Sequence, residues 1–241
     1  MGASMLALTS IGSAALLYQY QANTDPNTQG WTDPASNVGI TPGAIIDSGT
    51  PAWSVDDQST TFGATYAVTP TTSDISLTTS QDWKLSVTLR VTQKSDSPAG
   101  AIIALYRDGT KSYQMHFGSD PSANPIVVLS DGVGPTSGLS YTVPGSIGYN
   151  TYDLIYSQSA GSASLYVNGS PTPSLTNYSG FAFTTKNLAW GSGSSADTGH
   201  GNFSAVSLST VPEPSTYAML CLGATAFFVG RHRRKQGLGV L

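Results

Sequence analysis

The stretch Trp83-Lys-Leu-Ser-Val-Thr-Leu-Arg-Val91 alternates apolar and polar side chains without a break. Successive side chains of an extended chain point to opposite faces, so an extended backbone puts Trp83, Leu85, Val87, Leu89 and Val91 on one side. The segment is therefore expected as an antiparallel strand with one buried face. The same period recurs over 112–117, where Tyr113, Met115 and Phe117 share a face, and over 151–156, where Tyr152, Leu154 and Tyr156 do. Continuous apolar runs over 101–106 and 126–129 suit strands buried on both faces. Asp108-Gly109 and Asn168-Gly169 are hairpin-turn signals between strand-like runs. No window between residues 16 and 210 sustains a 3.6-residue period. The expectation is one all-β domain over 16–210, an antiparallel β-sandwich or jelly roll without helices.

Charge is scarce. Only 10% of the 241 residues are charged, against about 25% in ordinary globular chains. The net charge of −4 and pI near 5.1 provide no basic field for nucleic acid. Between Leu16 and Thr210 the bases are Lys84, Arg90, Lys94, Arg107, Lys111 and Lys186; thirteen aspartates oppose them, for −7. With 39% hydrophobic content the chain still has enough apolar surface for a core, which argues against disorder.

The two ends read differently from the body. Residues 1–15 are weakly apolar and end in Gly12-Ser13-Ala14-Ala15, small residues of the kind found around a signal-peptidase cut. With no Lys or Arg ahead of them, they read either as a truncated signal peptide or as a first strand. At the other end, residues 217–230 are uninterrupted by charge and are followed by Arg231, Arg233, Arg234 and Lys235. This is the pattern of a membrane segment with a cytoplasmic basic stop over 231–241. Fourteen residues rise only ~21 Å as a helix, short of the ~30 Å hydrocarbon core unless flanking residues extend it.

Val211-Pro212-Glu213-Pro214, the apolar run and the basic cluster together resemble the PEP-CTERM sorting signal of Gram-negative bacteria. The two prolines block helix and sheet pairing and leave an extended segment open to a protease. The resemblance implies an exported protein, held by its tail in the inner membrane and processed by an exosortase. It then reaches the cell surface or extracellular matrix, where such proteins accompany exopolysaccharide and biofilm.

Between residues 45 and 209 the order of strands and turns is similar to concanavalin A-like, laminin-G-type jelly rolls. The elements are 82–91, 101–106, 112–117, 152–156, the Leu165-Tyr-Val-Asn-Gly169 hairpin, Leu188-Ala-Trp-Gly191 and 201–208. That family serves mostly in carbohydrate binding and adhesion, with a branch of glucanases. The catalytic branch carries a Glu-x-Asp-x-x-Glu strand, whereas the only glutamate here is Glu213. Asp56 and Asp57 are adjacent, so on a strand they point to opposite faces and do not converge as a carboxylate pair; they read as a strand end and turn. The only cysteine, Cys221, sits in the apolar tail. His116, on the polar face of its strand, and His200, in a glycine-rich loop, read as solvated or hydrogen-bonded histidines. The chain is expected not to be an enzyme.

Two binding chemistries remain. Loop oxygens suit calcium, with Asp131, Asp197 and Asn202 as candidate ligands, although neither loop has an EF-hand-like spacing. Aromatic faces beside amides suit glycan, with Trp53, Tyr141, Tyr149 and Tyr178 as candidates; Trp190 falls on the apolar face of its strand. The expected partners are an exosortase, extracellular polysaccharide and the inner membrane. The alternative to glycan binding is a structural or adhesive matrix protein that self-associates; a glycoside hydrolase stands third.

Overall fold

The computed structural model describes residues 14–22, 24–32, 39–61, 63–92, 100–134, 137–193 and 197–212. Residues 1–13 of the expected signal peptide lie outside the described residues. So do Glu213 and Pro214, the 217–230 segment, and Arg231, Arg233, Arg234 and Lys235. Among the described residues no helix is long and apolar enough to cross a membrane.

The strands are β1 (Leu16–Gln21), β2 (Ile40–Asp47), β3 (Thr50–Asp57), β4 (Ala64–Val68), β5 (Asp82–Val91), β6 (Ile102–Asp108), β7 (Lys111–Ser119) and β8 (Pro125–Ser130). They continue with β9 (Gly138–Thr142), β10 (Asn150–Ser157), β11 (Ser162–Val167), β12 (Leu175–Tyr178), β13 (Phe181–Ala182), β14 (Lys186–Ser192) and β15 (Gly199–Val211). Two antiparallel sheets form the expected sandwich. The first runs β12, β11, β10, β5, β15, β3, β2, with β1 also on β15; the second runs β4, β14, β6, β7, β8, β9, with β13 also on β7. The alternating Trp83 to Val91 segment is β5, near the middle of the first sheet, between β10 and β15.

Each sheet sends one side-chain row inward. Trp83, Leu85, Val87 and Leu89 of β5 meet Ile102, Ala104 and Tyr106 of β6 and Tyr113, Met115 and Phe117 of β7 in one core. Trp190 of β14 is fully buried, stacked on Tyr20 at 4.4 Å and on Tyr66 at 4.8 Å. Strand β6 is buried on both faces, because Ile103 and Leu105 pack with Ala189 on the outer side of their sheet. Asp57 ends β3 as a turn residue: its carboxylate accepts from Ser59 N at 2.8 Å and from Ser192 Oγ.

Two elements depart from the expected helix-free domain, the first a short 3-10 helix at Pro26–Gln29. Residues Thr72–Ser80 form an α-helix, α1, where none was expected. Its sequence is mostly Ser and Thr, so the apolar period is carried by Ile75 with the buried Thr78 and gives little signal. The signal that was present is the capping box: Thr71 Oγ1 accepts from Asp74 N at 3.2 Å and Asp74 Oδ2 accepts from Thr71 N at 3.0 Å. Inside the helix the hydroxyls of Thr78 and Ser80 bond back to the carbonyls of Asp74 and Ser76.

Truncating Trp190 removes the ring that joins both sheets. Trp190→Ala is expected to lower the unfolding free energy by about 3–5 kcal/mol, measured by urea denaturation; a loss under about 1 kcal/mol would contradict this account of the core.

Candidate functional site

The register of the first sheet places a polar row across its outer face. Asn202 of β15 lies opposite Arg90 of β5 on one side and Ser54 of β3 on the other, and Ser54 lies opposite Gly43 of β2. Tyr149 stands just before β10, whose Asn150 is paired with Leu89. Four neighbouring strands thus present guanidinium, amide, hydroxyl and an open glycine notch in one line, with the Tyr149 phenol just ahead of a fifth. A Cβ at Gly43 would meet nothing within 4 Å.

Asp47, at the tip of the β2–β3 hairpin, ties the row together. The turn that carries it is tight, with Ser48 and Gly49 both at positive φ (53° and 81°) as a two-residue hairpin requires. Its carboxylate accepts from Arg90 Nη1 at 2.6 Å, Asn202 Nδ2 at 2.8 Å and Tyr149 OH at 3.1 Å. Burial alone would raise the Asp47 carboxyl. The hydrogen bonds from Asn202 and Tyr149, the Arg90 charge and Ser48 outweigh it and hold the group below the usual carboxylate range. The same neighbourhood pushes the Tyr149 phenol up, through burial first and the Asp47 charge second. Asn202 is only 3% exposed, and its Oδ1 has no hydrogen-bond partner, like the buried Nε of Arg90. Exposed Ile46 (72%) and Ile147 (69%) lie next in sequence to the hairpin tip and to the Tyr149 loop.

Beside this row, His200 sits in β15 rather than in a loop, paired with Asp56, and its Nε2 is 2.7 Å from Ser54 Oγ. Neither of the two ion pairs among the described residues, Lys84–Asp153 and Arg90–Asp47, involves a histidine. The Ser54–His200 contact therefore has no carboxylate completing it among those pairs. His116 is on the outer face of the other sheet and does not meet His200. It is 8% exposed and faces Gln114 Oε1 at 3.2 Å, and burial pushes its imidazole down to about 4 against the weaker pull of the Gly100 backbone.

The sequence candidates divide sharply. Of the glycan candidates, Trp53 is in the core, edge-on to Tyr66 at 5.9 Å. Tyr178 is buried, donating to the Ser130 carbonyl at 2.8 Å and accepting from Gln114 N at 3.0 Å. Tyr141 is half-buried against the core, so Tyr149 is the aromatic at the polar row. Of the calcium candidates, Asn202 turns its amide to Asp47, and Asp131 accepts from Val133 N at 3.0 Å and Ser137 Oγ at 2.7 Å within its own loop. Asp197 is half-buried ahead of β15. Among the described residues no three His, Cys, Asp or Glu side chains are grouped to hold a metal ion. Asp47, Arg90 and Ser54 were missed. The alternation of β5 already put Arg90 on the polar face, and Asp47-Ser-Gly is a turn signal, but nothing local places β15 between β5 and β3.

Comparison with known proteins bears on the two parts of the chain separately. Residues 210–235 match the PEP-CTERM protein-sorting motif, which implies an exported, exosortase-processed protein. No curated protein matches the sequence. Among solved structures, the conserved carbohydrate esterase vb_24B_21 from the Shiga toxin-encoding bacteriophage phi24B matches with a TM-score of 0.58 at 13% identity, covering 82% of this chain and 99% of that one. The cellulose-induced protein Cip1 matches at 0.49 and 14% identity, over 74% and 90% of the two chains. A structure concerned with cell entry of botulinum neurotoxin type C matches at 0.48 and 12%, over 85% of this chain and 50% of that one. The first of these likenesses shows a shared β-sandwich jelly-roll fold and nothing about chemistry.

The depressed His116 imidazole gives a pH test. The folded group at about 4 lies below the 6.5 of a solvated one, so between those values the unfolded chain binds more protons. The stabilisation is complete above pH 6.5 and is lost as pH falls toward 4. His116→Gln is expected to remove a share of the acid slope worth about 3 kcal/mol. Urea denaturation of both chains between pH 7 and 4 checks it; parallel curves would contradict it.

Proposed function

We propose that this exported protein binds glycan through the outer face of its first sheet. The observation that carries the reading is the convergence of Arg90, Asn202 and Tyr149 on the Asp47 carboxylate, flush with a face that is otherwise hydroxyl-rich. Carboxylate, guanidinium and amide supply fixed acceptors and donors for sugar hydroxyls, and a phenol ring supplies an apolar face beside them. The members hold one another, so the arrangement is set before a ligand arrives and little side-chain entropy is lost on binding. Gly43 leaves room beside Ser54 for a ring to approach the sheet.

A sparsely charged surface suits work in the extracellular polysaccharide matrix, where fixed charge makes a contact depend on ionic strength. Self-association is the rival reading. The exposed Ile46 and Ile147 favour it, since solvent-facing isoleucines serve protein contacts as well as sugar rings.

Binding of the full chain in detergent to an array of neutral glycans and to the host's own exopolysaccharide tests the reading. Tyr149→Ala and Arg90→Gln are each expected to weaken it about tenfold, one charge-assisted bond or one stacking face being worth roughly 1.5 kcal/mol. Concentration-dependent assembly with no glycan retained would establish the rival.

A further inference from the structure

The outer face of the second sheet carries its own polar line. Strand β7 presents Ser112, Gln114 and His116 there, opposite the inward Tyr113, Met115 and Phe117. Gln114 Nε2 donates to Ser112 Oγ at 2.9 Å and its Oε1 is 3.2 Å from His116 Nε2; Arg107 Nε of β6 donates to the same Ser112 Oγ at 3.2 Å. Arg107 lies over the Phe183 ring, 3.7 Å from its centre, and Phe181 meets Phe183 edge-on at 6.2 Å. On its other side Arg107 faces Asn187 of β14, whose buried Oδ1 has no hydrogen-bond partner. Ser112, Gln114 and His116 are buried, as are Ile103, Leu105 and Ala189 beside them, which leaves the Arg107 end of the line as the part near solvent.

Charge gathers at the same corner. Lys186 pairs with Asp108 across the sheet, and its stem lies against Gly109 in the β6–β7 turn. Lys111 pairs with Ala182 and donates to the Ser179 carbonyl at 2.9 Å. Three of the six bases of an acidic body, Arg107, Lys111 and Lys186, therefore surround one turn. None of them belongs to the two ion pairs among the described residues. The neighbouring acids are occupied locally. Asp108 Oδ1 accepts from Thr110 N, Thr110 Oγ1 and Lys111 N, all at 2.7 Å. Asp131 is held by Val133 and Ser137, and the next residue of its loop, Gly132, packs on Phe181.

We propose that this corner, where Arg107, Lys111, Phe181 and Phe183 are half-buried and Lys186 is exposed, binds an acidic polysaccharide, one carrying carboxylate or sulfate groups. Arg107 offers a planar fork already stacked on a ring, the geometry that favours a ligand anion over a loose lysine contact. Lys111 and Lys186 stand around the same turn as point charges, and Phe181 and Phe183 give an apolar wall for a sugar ring. The site lies on the other sheet from the Asp47 cluster and takes a charged rather than a neutral glycan, so it goes beyond the function proposed above.

Affinity electrophoresis of the full chain in detergent, through gels containing polygalacturonate or neutral dextran, tests it. The expected result is retardation by polygalacturonate alone, weakening as NaCl is added. Arg107→Gln and the double variant Lys111→Gln/Lys186→Gln are each expected to lower the affinity about tenfold. Lys84→Gln removes the same charge from the other sheet and is expected to change nothing. Absence of retardation, or equal loss in Lys84→Gln, would overturn the proposal, as would sedimentation with anionic vesicles without polygalacturonate retention. None of the corner variants touches the Asp47 cluster, so neutral-glycan binding failing or persisting is read independently.

Discussion

The sandwich depends on Trp190. Its ring comes from β14 of the second sheet and is stacked on Tyr20 of β1, 4.9 Å from Phe203 of β15 and edge-on to Trp31 at 6.0 Å. A second aromatic knot, Trp83 with Tyr106, Tyr113 and Tyr156, closes the other part of the core. The single cysteine lies in the tail, and both ion pairs among the described residues lie within the first sheet, so apolar and aromatic contact joins the described parts of the two sheets. Because the cohesion is internal, both outer faces are free to carry polar arrangements without weakening the fold.

The strands were legible because burial on one face forces a two-residue period, which β5 and the first part of β10 obey; β7 is buried on both faces, yet its sequence still alternates apolar and polar side chains. The double burial of β6 was legible for the same reason, as an unbroken apolar run. Helix α1 was not, since its serines and threonines satisfy their hydroxyls on the helix's own backbone and leave no apolar stripe. The strand at His200 was obscured by its glycines: Gly199 and Gly201 suggest a loop, but a Cβ at either would press on Ile102. They are small because the second sheet comes close.

The polar row illustrates a different limit. Asn202 and Tyr149 both attracted notice, one for calcium and one for glycan, and the structure brings them to a single carboxylate that neither reading included. The bond from Asn202 to Asp47 spans 155 positions. It exists because β15 enters the first sheet between β5 and β3, a choice of strand order that no local pattern encodes. Residues at sequence distance of this kind become neighbours only through topology, so a side chain's type was readable while its company was not.

Strand β15 gives the protein a mechanical character. It runs thirteen residues, pairs with β5 along one edge, and is flanked on the other by β3 and then β1 placed end to end. Pro212 follows its last residue directly, and Thr210 is bonded to Ala15 in both directions, N to O and N to Oγ1, each at 2.9 Å. A pull on the sorting tail therefore enters the domain along a central strand and loads hydrogen bonds on both sides in shear, many at once. A domain anchored through an edge strand would peel one bond at a time.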